Sequence, residues 1–170
     1  VAFWHLIAGD EAGGTAIAAE ADRLAAASRP EDGALARSVC LAALREAMRL
    51  HPPAPILYRE VARPFEFAGF RFVRGDSVWA SPLLLHRDPR FFAAPEMFWP
   101  TRFLHGNLPL DARTAYMPFG AAPRICLAAR QASLQMTGIA LAVARRFRLV
   151  PLEGETDRFG IEARARRPAD

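Results

Sequence analysis

One cysteine lies in a setting that suits the ligation of a metal. Cys126 comes just before a long apolar stretch with helical periodicity, and Arg124 places a positive charge close by. A thiol at a helix N-terminus is more easily held as a thiolate, because free N–H groups and the helix dipole favour negative charge. Phe119, Ile125 and Leu127 would provide apolar surroundings. The pattern predicts either an axial ligand for a haem iron or a buried cysteine at a helix start, and the spacing alone leaves both open.

The other cysteine points to no chemistry. Cys40 lies inside a predicted helix between Val39 and Leu41, which is typical of a small buried hydrophobic residue. With only 2 cysteines in 170 residues, the composition excludes a disulfide-stapled scaffold and a site with several thiolate ligands.

A pair of opposite charges on one helix is the second candidate. Glu46 and Arg49 are three positions apart, so they lie on the same helical face and can pair. The ordinary interpretation is a solvated surface pair worth about 0.3 kcal/mol. However, Arg102 offers a second cation in an aromatic, proline-rich stretch. A buried cluster of one glutamate and two arginines would be costly to assemble and very sensitive to the loss of one member.

The elements that must position these residues are predicted from periodicity and from helix breakers. Apolar residues recur at helical spacing at the start of the chain, where three glycines and neighbouring polar residues predict a bend. The order of the elements predicts an α+β fold that is mainly α. The elements are a helix over 1–28 with its bend at 8–15, a turn at 30–33, a helix over 34–50, four short strands between 56 and 81, a short helix over 82–86, an irregular loop region over 87–118, a long helix over 127–147 and a hairpin over 149–166.

The composition bounds the class of protein. The chain is 52% hydrophobic and 24% charged, which is typical of a globular domain. Its net charge is +4, and all 22 basic residues are arginines, a bias that indicates a GC-rich genome rather than nucleic-acid binding. No apolar run approaches the roughly 20 residues that span a bilayer, and the first residues make a poor signal peptide. We therefore expect a cytoplasmic, bacterial protein with no membrane span and no nucleic-acid partner.

Three motifs in a fixed order resemble one family. A Glu-x-x-Arg motif begins at Glu46, a Pro-x-Arg-Phe motif at Pro100 and a Phe-Gly-x-x-x-Arg-x-Cys motif at Phe119. Together they resemble the C-terminal half of a cytochrome P450, and the likeness runs from about Leu6 to the C-terminus. It implies the C-terminal portion of that fold: a distal helix remnant, the Glu-x-x-Arg helix, a small sheet, a meander with the cysteine-ligand loop, a long helix and a terminal hairpin.

The resemblance implies haem b as the cofactor. Cys126 would be the thiolate ligand of the iron, and such a ligand pushes electron density that favours cleavage of an O–O bond. Phe119 would lie beside the sulfur, while Arg124 and Arg59 would hold the haem propionates.

A second group of residues would be structural in the family. Glu46 and Arg49 would lock with Arg102 and thereby fix the loop that presents the cysteine. The stretch 86–89, His-Arg-Asp-Pro, matches a common segment ahead of the loop region, and we interpret it as structural.

The start of the chain is similar to the family's distal helix motif. Residues 8–12, Ala-Gly-Asp-Glu-Ala, correspond to Ala-Gly-x-(Asp/Glu)-Thr, which opens a groove over the haem where dioxygen binds. Glu11 would be the acidic member of the proton-delivery pair. Ala12 stands where the family has threonine, and Thr15 would replace that hydroxyl only if the helix register shifted at residues 13–14.

The cysteine loop departs from the family pattern at two positions. It retains Gly120 but carries Ala122 and Ala128 where the family usually has glycine. If position 122 requires a positive φ, alanine there costs about 1 kcal/mol. The extra methyl at position 128 would lie near the porphyrin face and would be tolerated. Neither change removes the iron ligand.

The function implied by the resemblance is monooxygenation. Two electrons would come from a ferredoxin or a flavoprotein reductase, and one oxygen atom of dioxygen would be inserted into a small apolar organic substrate. An acidic donor would dock on the surface around Cys126, where Arg113, Arg124 and Arg130 are candidate contacts. For Arg113 and Arg130, however, ordinary solvated arginines are the favoured interpretation.

Two other functions fit the departures. The family's N-terminal half is absent, so residues 1–170 would be a single partial domain that a second chain or the missing half completes. An inactive or haem-free relative that supports a partner protein would explain Ala12, Ala122 and the missing half, but not the intact Glu46 and Cys126 motifs. A peroxide-using haem-thiolate enzyme would explain the lost threonine, because peroxide bypasses the activation of dioxygen.

Overall fold

The computed structural model describes residues 2–26, 38–104, 108–121, 123–151 and 161–165. Several predicted features lie outside these ranges in whole or in part: both ends of the helix predicted over 1–28, the turn at 30–33, the first residues of the helix predicted to begin at residue 34, Ala122 of the cysteine loop, and residues 152–160 and 166 of the terminal hairpin. The described residues form six α-helices and three two-stranded antiparallel sheets, and helix predominates. The predicted α+β class is therefore confirmed.

Two helices, α1 (Ala2–Ala8) and α2 (Glu11–Ala26), take the place of the single bent helix predicted for the start of the chain. Only Gly9 and Asp10 leave the helix, so the interruption is narrower than predicted. The Asp10 carboxylate accepts the Gly13 N–H at 3.0 Å and thereby caps α2. A Cβ at Gly13 would stand 2.3 Å from Asp10 Oδ2, so only glycine fits beside this cap.

The helix α3 (Val39–Leu50) lies at the centre of the fold. Ser38 is its N-cap, with a hydroxyl that accepts the Leu41 N–H at 3.1 Å. The buried Glu20 carboxylate of α2 accepts the Cys40 N–H at 3.0 Å, which places a negative charge at the positive end of the α3 dipole. These bonds join α2 to α3.

Two hydrophobic clusters both draw on α3, and every residue of this helix from Cys40 to Leu50 except Arg45 is buried. Charged side chains on α3 consequently have to find partners inside the protein. The first cluster contains Ile7, Ile17, Cys40, Ala43, Leu44 and Ala140. The second cluster contains Ala42, Phe92, Phe103, Leu108, Ala112 and Ala115.

Four short strands follow α3, as predicted. The strand β1 (Leu57–Glu60) pairs antiparallel with β4 (Ser77–Ala80), and between them β2 (Phe65–Phe67) forms a hairpin with β3 (Phe70–Phe72). The two residues between β2 and β3 have φ angles of 51° and 81°, the positive values that a tight hairpin turn needs.

The region predicted to be an irregular loop over 87–118 contains regular structure. After the short helix α4 (Pro82–Leu85), the chain forms a 3₁₀ helix (Pro100–Phe103) and α5 (Leu110–Ala115). The prediction missed α5 because its 6 residues are too few to show helical periodicity. Both elements matter for the site, since they contribute to the second hydrophobic cluster.

The chain ends its described part with a helix and a hairpin. The helix α6 (Ala129–Arg146) begins later than the predicted residue 127 and leads directly into β5 (Phe147–Pro151), which pairs antiparallel with β6 (Ile161–Ala165). Among the described residues, none of the helices has the length and apolar character that crossing a membrane requires.

Candidate functional site

The two charged side chains of α3 bind each other in the protein interior. Arg49 donates from Nε to Glu46 Oε2 at 2.8 Å and from Nη2 to Glu46 Oε1 at 2.9 Å. Both side chains are 0% exposed, so this is not the solvated surface pair that such spacing ordinarily means. Two parallel bonds of this kind form the bidentate geometry in which arginine binds a carboxylate strongly.

Arg102 joins this pair from the loop region. Its Nε donates to Glu46 Oε1 at 3.0 Å, and the Trp99 main-chain N–H donates to the same oxygen at 2.8 Å. The guanidinium carbon of Arg102 also lies 5.0 Å from the centroid of the Trp99 ring. The structure thus brings together Glu46, Arg49 and Arg102, which we call the Glu46 cluster.

Arg49 also holds the loop region through main-chain carbonyl groups. Its Nη1 donates to the carbonyls of His86 at 2.8 Å and Pro95 at 2.6 Å, and its Nη2 donates to that of Met97 at 3.1 Å. With the two bonds to Glu46, these contacts use all five N–H donors of the guanidinium. Removing one partner of a buried pair leaves a charge uncompensated, at a cost of about 3–5 kcal/mol. The Glu46 cluster therefore ties the loop region firmly to α3.

The segment 117–126, which we call the cysteine loop, is closed by its own main-chain hydrogen bonds. The Gly120 N–H donates to the Met117 carbonyl at 3.0 Å, and the Cys126 N–H donates to the Phe119 carbonyl at 2.9 Å. Gly120 has a φ of 80°, a left-handed conformation in which a side chain is disfavoured. A Cβ there would also approach the Arg124 carbonyl oxygen to 3.4 Å. These bonds and this turn shape the loop around Cys126.

Cys126 and its apolar neighbours face outward. Cys126 is exposed, and the residues on either side of it, Ile125 and Leu127, are 52% and 101% exposed. Apolar residues exposed to this degree indicate a surface that a ligand or another part of a protein covers. Haem has an apolar face and an iron that takes a thiolate ligand, so the residues of this loop fit that group.

Cys126 lies three residues before α6, whereas the sequence predicted a helix that begins directly after this cysteine. The helix begins at Ala129, Ala128 precedes it, and the Cys126 carbonyl accepts the Ala129 N–H at 3.1 Å.

Cys40 is unsuited to bind an iron that comes from outside. It is 0% exposed, and its sulfur lies 4.0 Å from the Thr137 carbonyl oxygen. Burial, with the Glu20 carboxylate nearby, raises the pKa of the Cys40 thiol to about 12. The prediction that Cys40 is a small buried residue is confirmed.

The arginines predicted to contact haem or a donor protein are exposed and lie on different elements. Arg59 is on β1, where its Nη1 donates to the Tyr58 carbonyl at 2.7 Å. Arg124 belongs to the cysteine loop, and Arg130 lies in the first turn of α6. Arg113, in α5, donates to a main-chain carbonyl at 2.7 Å. Their roles toward haem or a donor stay predictions.

One of the two predicted distal residues, Glu11, borders a separate cavity. A space of about 740 Å³ lies between α1, α2, α6 and β5, and its lining includes Glu11 and Thr15. Glu11 forms an ion pair with Arg148 of β5. Ala12 is exposed, and α2 continues without a break to Thr15, so no shift of register brings that hydroxyl into the position of Ala12. Cys126 does not line this cavity, so the structure does not unite the predicted distal and proximal residues in one site.

Two residues that were not predicted as part of the site form hydrogen bonds near the start of the cysteine loop. The Tyr116 hydroxyl donates to the Arg45 carbonyl at 3.0 Å. His86, interpreted only as part of a structural stretch, is completely buried, and its Nε2 accepts the Met117 N–H at 2.9 Å. Burial lowers the pKa of His86 to about 4. A single tyrosine and a single histidine at such distances along the chain carry no pattern that would have revealed these contacts.

Comparison with known proteins supports the interpretation of the motifs. The family model of Cytochrome P450 matches residues 20–162 of the chain. Cytochrome P450 4V2 from Homo sapiens is 38% identical over 104 residues, which are 61% of this chain and 20% of that protein. Cytochrome P450 4d2 from Drosophila melanogaster is 36% identical over 112 residues, covering 66% of this chain and 22% of that protein.

A third similar protein comes from a bacterium. Cyclooctatin synthase from Streptomyces melanosporofaciens is 31% identical over 152 residues, covering 89% of this chain and 33% of that protein. The chain thus spans between a fifth and a third of the length of these relatives. The family match includes α3, the Glu46 cluster and the cysteine loop. The chain belongs to the cytochrome P450 family, whose members bind haem b through a cysteine thiolate.

Proposed function

We propose that this chain is the haem-binding part of a monooxygenase in which Cys126 is the thiolate ligand of the iron. The observation that carries the proposal is the exposure of Cys126 in an outward-facing apolar loop that its own hydrogen bonds hold closed. The other cysteine is buried, and its pKa is raised to about 12. Bound haem would supply the activation of dioxygen and the transfer of one oxygen atom to an organic substrate.

The residues of this chain would bind and orient the cofactor. Cys126 would ligate the iron, while Phe119 and Leu127 would contact the apolar macrocycle and keep water away from the sulfur. Arg124 and Arg59 would neutralise the propionates, because exposed guanidinium groups bind carboxylates with paired hydrogen bonds. Exclusion of water would strengthen each of these electrostatic contacts.

The Glu46 cluster would act at a distance from the reaction. Its bonds from Arg49 to the Pro95 and Met97 carbonyls hold the loop region that leads to the cysteine loop. Because every donor of Arg49 is used, this attachment leaves little freedom for the chain. We infer that the cluster keeps Cys126 at a fixed position relative to α3.

Glu11 would deliver protons on the distal side. Its carboxylate is paired with Arg148, and both side chains are exposed to water. Ala12 lacks the hydroxyl that would pass a proton onward, and this observation favours a second candidate, a haem-thiolate enzyme that uses peroxide. Peroxide already carries the electrons and protons that dioxygen would have to receive.

The proposed function also requires an electron donor and a substrate. An acidic ferredoxin or flavoprotein reductase would dock where Arg124 and Arg130 are exposed beside the cysteine loop. The substrate would be a small apolar organic molecule. Since the matched region is 20–33% of the length of the relatives, a further portion of the fold, on this or a second chain, would roof the substrate site.

A haem titration tests the proposal. The purified chain is loaded with haem and reduced under carbon monoxide, and we expect the red-shifted Soret band of a thiolate adduct. Cys126→Ser should abolish this band, whereas Cys40→Ala, the matched control, should keep it. Failure to take up haem would support a haem-free scaffold instead, and a haem spectrum that Cys126→Ser leaves unchanged would refute Cys126 as the iron ligand. Turnover with peroxide, but not with dioxygen and an electron donor, would favour the second candidate.

A further inference from the structure

His86 lies where α3, the loop region and the cysteine loop meet. Its side chain is completely buried. Its Nε2 lies 2.9 Å from the Met117 main-chain nitrogen, and its Nδ1 lies 3.2 Å from the Arg49 carbonyl oxygen. The His86 carbonyl accepts a bond from Arg49 Nη1 at 2.8 Å. Arg49 therefore holds both the ring and the main chain of this histidine.

The partners of the ring determine where its proton is. A main-chain N–H only donates, so the Nε2 atom that faces Met117 must accept. A carbonyl oxygen only accepts, so the Nδ1 atom that faces Arg49 must carry the proton. His86 is consequently a neutral imidazole with each ring nitrogen committed to one partner, and an apolar side chain of similar size would serve neither.

The link from His86 continues toward Cys126. The Met117 carbonyl accepts the Gly120 N–H at 3.0 Å, and the Phe119 carbonyl accepts the Cys126 N–H at 2.9 Å. The cysteine loop is thus closed upon itself, and its first residue is attached to α3 through one imidazole. Any movement of the Met117 amide would be passed to the sulfur through a short and constrained piece of chain.

We propose that His86 is a positioning residue that sets the place of Cys126 relative to α3 by bridging the Arg49 carbonyl and the Met117 amide. That the position of Cys126 matters for chemistry rests on the proposed function. The two hydrogen bonds of His86 do not depend on that function. The neighbouring Tyr116 is attached to α3 by a different route, because its hydroxyl donates to the Arg45 carbonyl at 3.0 Å. It therefore provides a matched control.

Amide hydrogen–deuterium exchange of the purified chain tests this proposal. His86→Phe keeps an aromatic ring but removes both bonds, and it should raise exchange in residues 117–126 by about tenfold or more relative to α6. His86→Gln offers an amide oxygen to the Met117 N–H and should restore most of the protection. Tyr116→Phe leaves the bridge intact and should affect this segment less. If His86→Phe does not fold, His86→Asn, whose shorter side chain serves Arg49 but not Met117, provides the same comparison.

The outcomes separate positioning from packing and from the proposed function. Unchanged exchange in residues 117–126 of His86→Phe would overturn the proposal, as would an increase spread evenly over α2, α3 and α6. In the haem-loaded chain, His86→Phe should reduce the fraction of thiolate adduct and His86→Gln should restore it. If Cys126→Ser leaves the haem spectrum unchanged, the proposed function fails, while the exchange data still decide the role of His86.

Discussion

The Glu46 cluster and the cysteine loop place residues in opposite and equally uncommon environments. In the cluster, three charged side chains are at most 7% exposed. In the loop, the apolar residue Leu127 is 101% exposed next to an exposed thiol. Folded proteins ordinarily do the reverse, with charges in water and large apolar side chains inside.

The difference lies in where the partners of each region come from. The donors of Arg49 and the carboxylate of Glu46 are satisfied by groups of this chain, so the cluster is complete and serves to hold elements together. Within the part of the chain that the structure describes, the apolar surface around Cys126 is left open to solvent. The cluster is therefore completed by groups of this chain, whereas the exposed apolar surface around Cys126 is what the proposed haem site would cover.

The two cysteines provide the largest expected effect. Cys126 should react with an alkylating reagent as an exposed thiol. Cys40 should react only when the chain unfolds, at a rate at least about a thousandfold lower than that of Cys126. While the site stays closed, the pKa of about 12 leaves almost none of the reactive thiolate at Cys40. Mass spectrometry of the alkylated peptides over time measures both rates. Comparable alkylation rates would contradict the contrast between an exposed Cys126 and a buried Cys40. Slower alkylation of Cys126 in the presence of added haem would support its place in a haem site.

Removing the central carboxylate should cause the next largest effect. Glu46→Gln keeps the shape of the side chain but leaves Arg49 and Arg102 buried without their anion, at a cost of about 3–5 kcal/mol in the free energy of unfolding. The midpoint and slope of urea unfolding measure this cost. The matched control is Glu96→Gln, because Glu96 pairs with Arg87 while its side chain is 72% exposed. That change should cost less than about 1 kcal/mol, and equal losses in the two variants would contradict the scaffold role.

Acid should destabilise the chain through His86. Its pKa is about 4 in the folded chain and 6.5 in its ordinary state, because burial disfavours the charged ring. Between these values the unfolded chain binds a proton that the folded chain does not, so stability falls as the pH is lowered from 6.5 to 4. The full loss is about 3 kcal/mol, reached near and below pH 4. Urea unfolding at several pH values should show this dependence in the wild type and not in His86→Gln, and parallel curves would argue against it.

The smallest expected effect concerns a single methyl group in the cysteine loop. Gly120→Ala places a side chain at a φ of 80° and should lower the free energy of unfolding by about 1 kcal/mol. Gly138→Ala in α6 is the matched control, because a Cβ there meets no atom within 4 Å and alanine favours the helix by about 1 kcal/mol. Thermal unfolding should therefore shift in opposite directions in the two variants. If the unfolding temperature rose in both variants, the positive φ of residue 120 would not require glycine.

Much of the fold could be predicted because it depends on neighbours in the chain. The alternation of apolar residues around Phe65–Phe67 and Phe70–Phe72 predicted two short strands, and the helical spacing of the residues up to Leu50 predicted α3. The start of α6 was predicted two residues too early, because the periodicity of apolar residues does not define the first residue of a helix. The short helix α5 was missed because it is stabilised by the cluster it joins rather than by its own pattern.

In the site, too, local spacing predicted some features and tertiary packing decided the others. The spacing of Glu46 and Arg49 showed that they could meet, but a solvated pair was the simpler interpretation until α3 was seen to be buried. The connection from Arg49 to the carbonyls of His86 and Met97 joins residues that are 37 and 48 positions apart. Main-chain carbonyls are common to all residues, so no residue type signals that one of them will be a partner.

The sequence by itself determined which residues are able to do chemistry here: a thiol in an apolar stretch, a carboxylate with two arginines, and the order of motifs by which the family is identified. Those are properties of residue type and local spacing. Only the tertiary structure decided that Cys126 is exposed, that the charges of the Glu46 cluster are fully paired, and that His86 bridges α3 and the cysteine loop. Burial and long-range hydrogen bonds arise from the packing of distant segments, and packing is what a linear pattern does not contain.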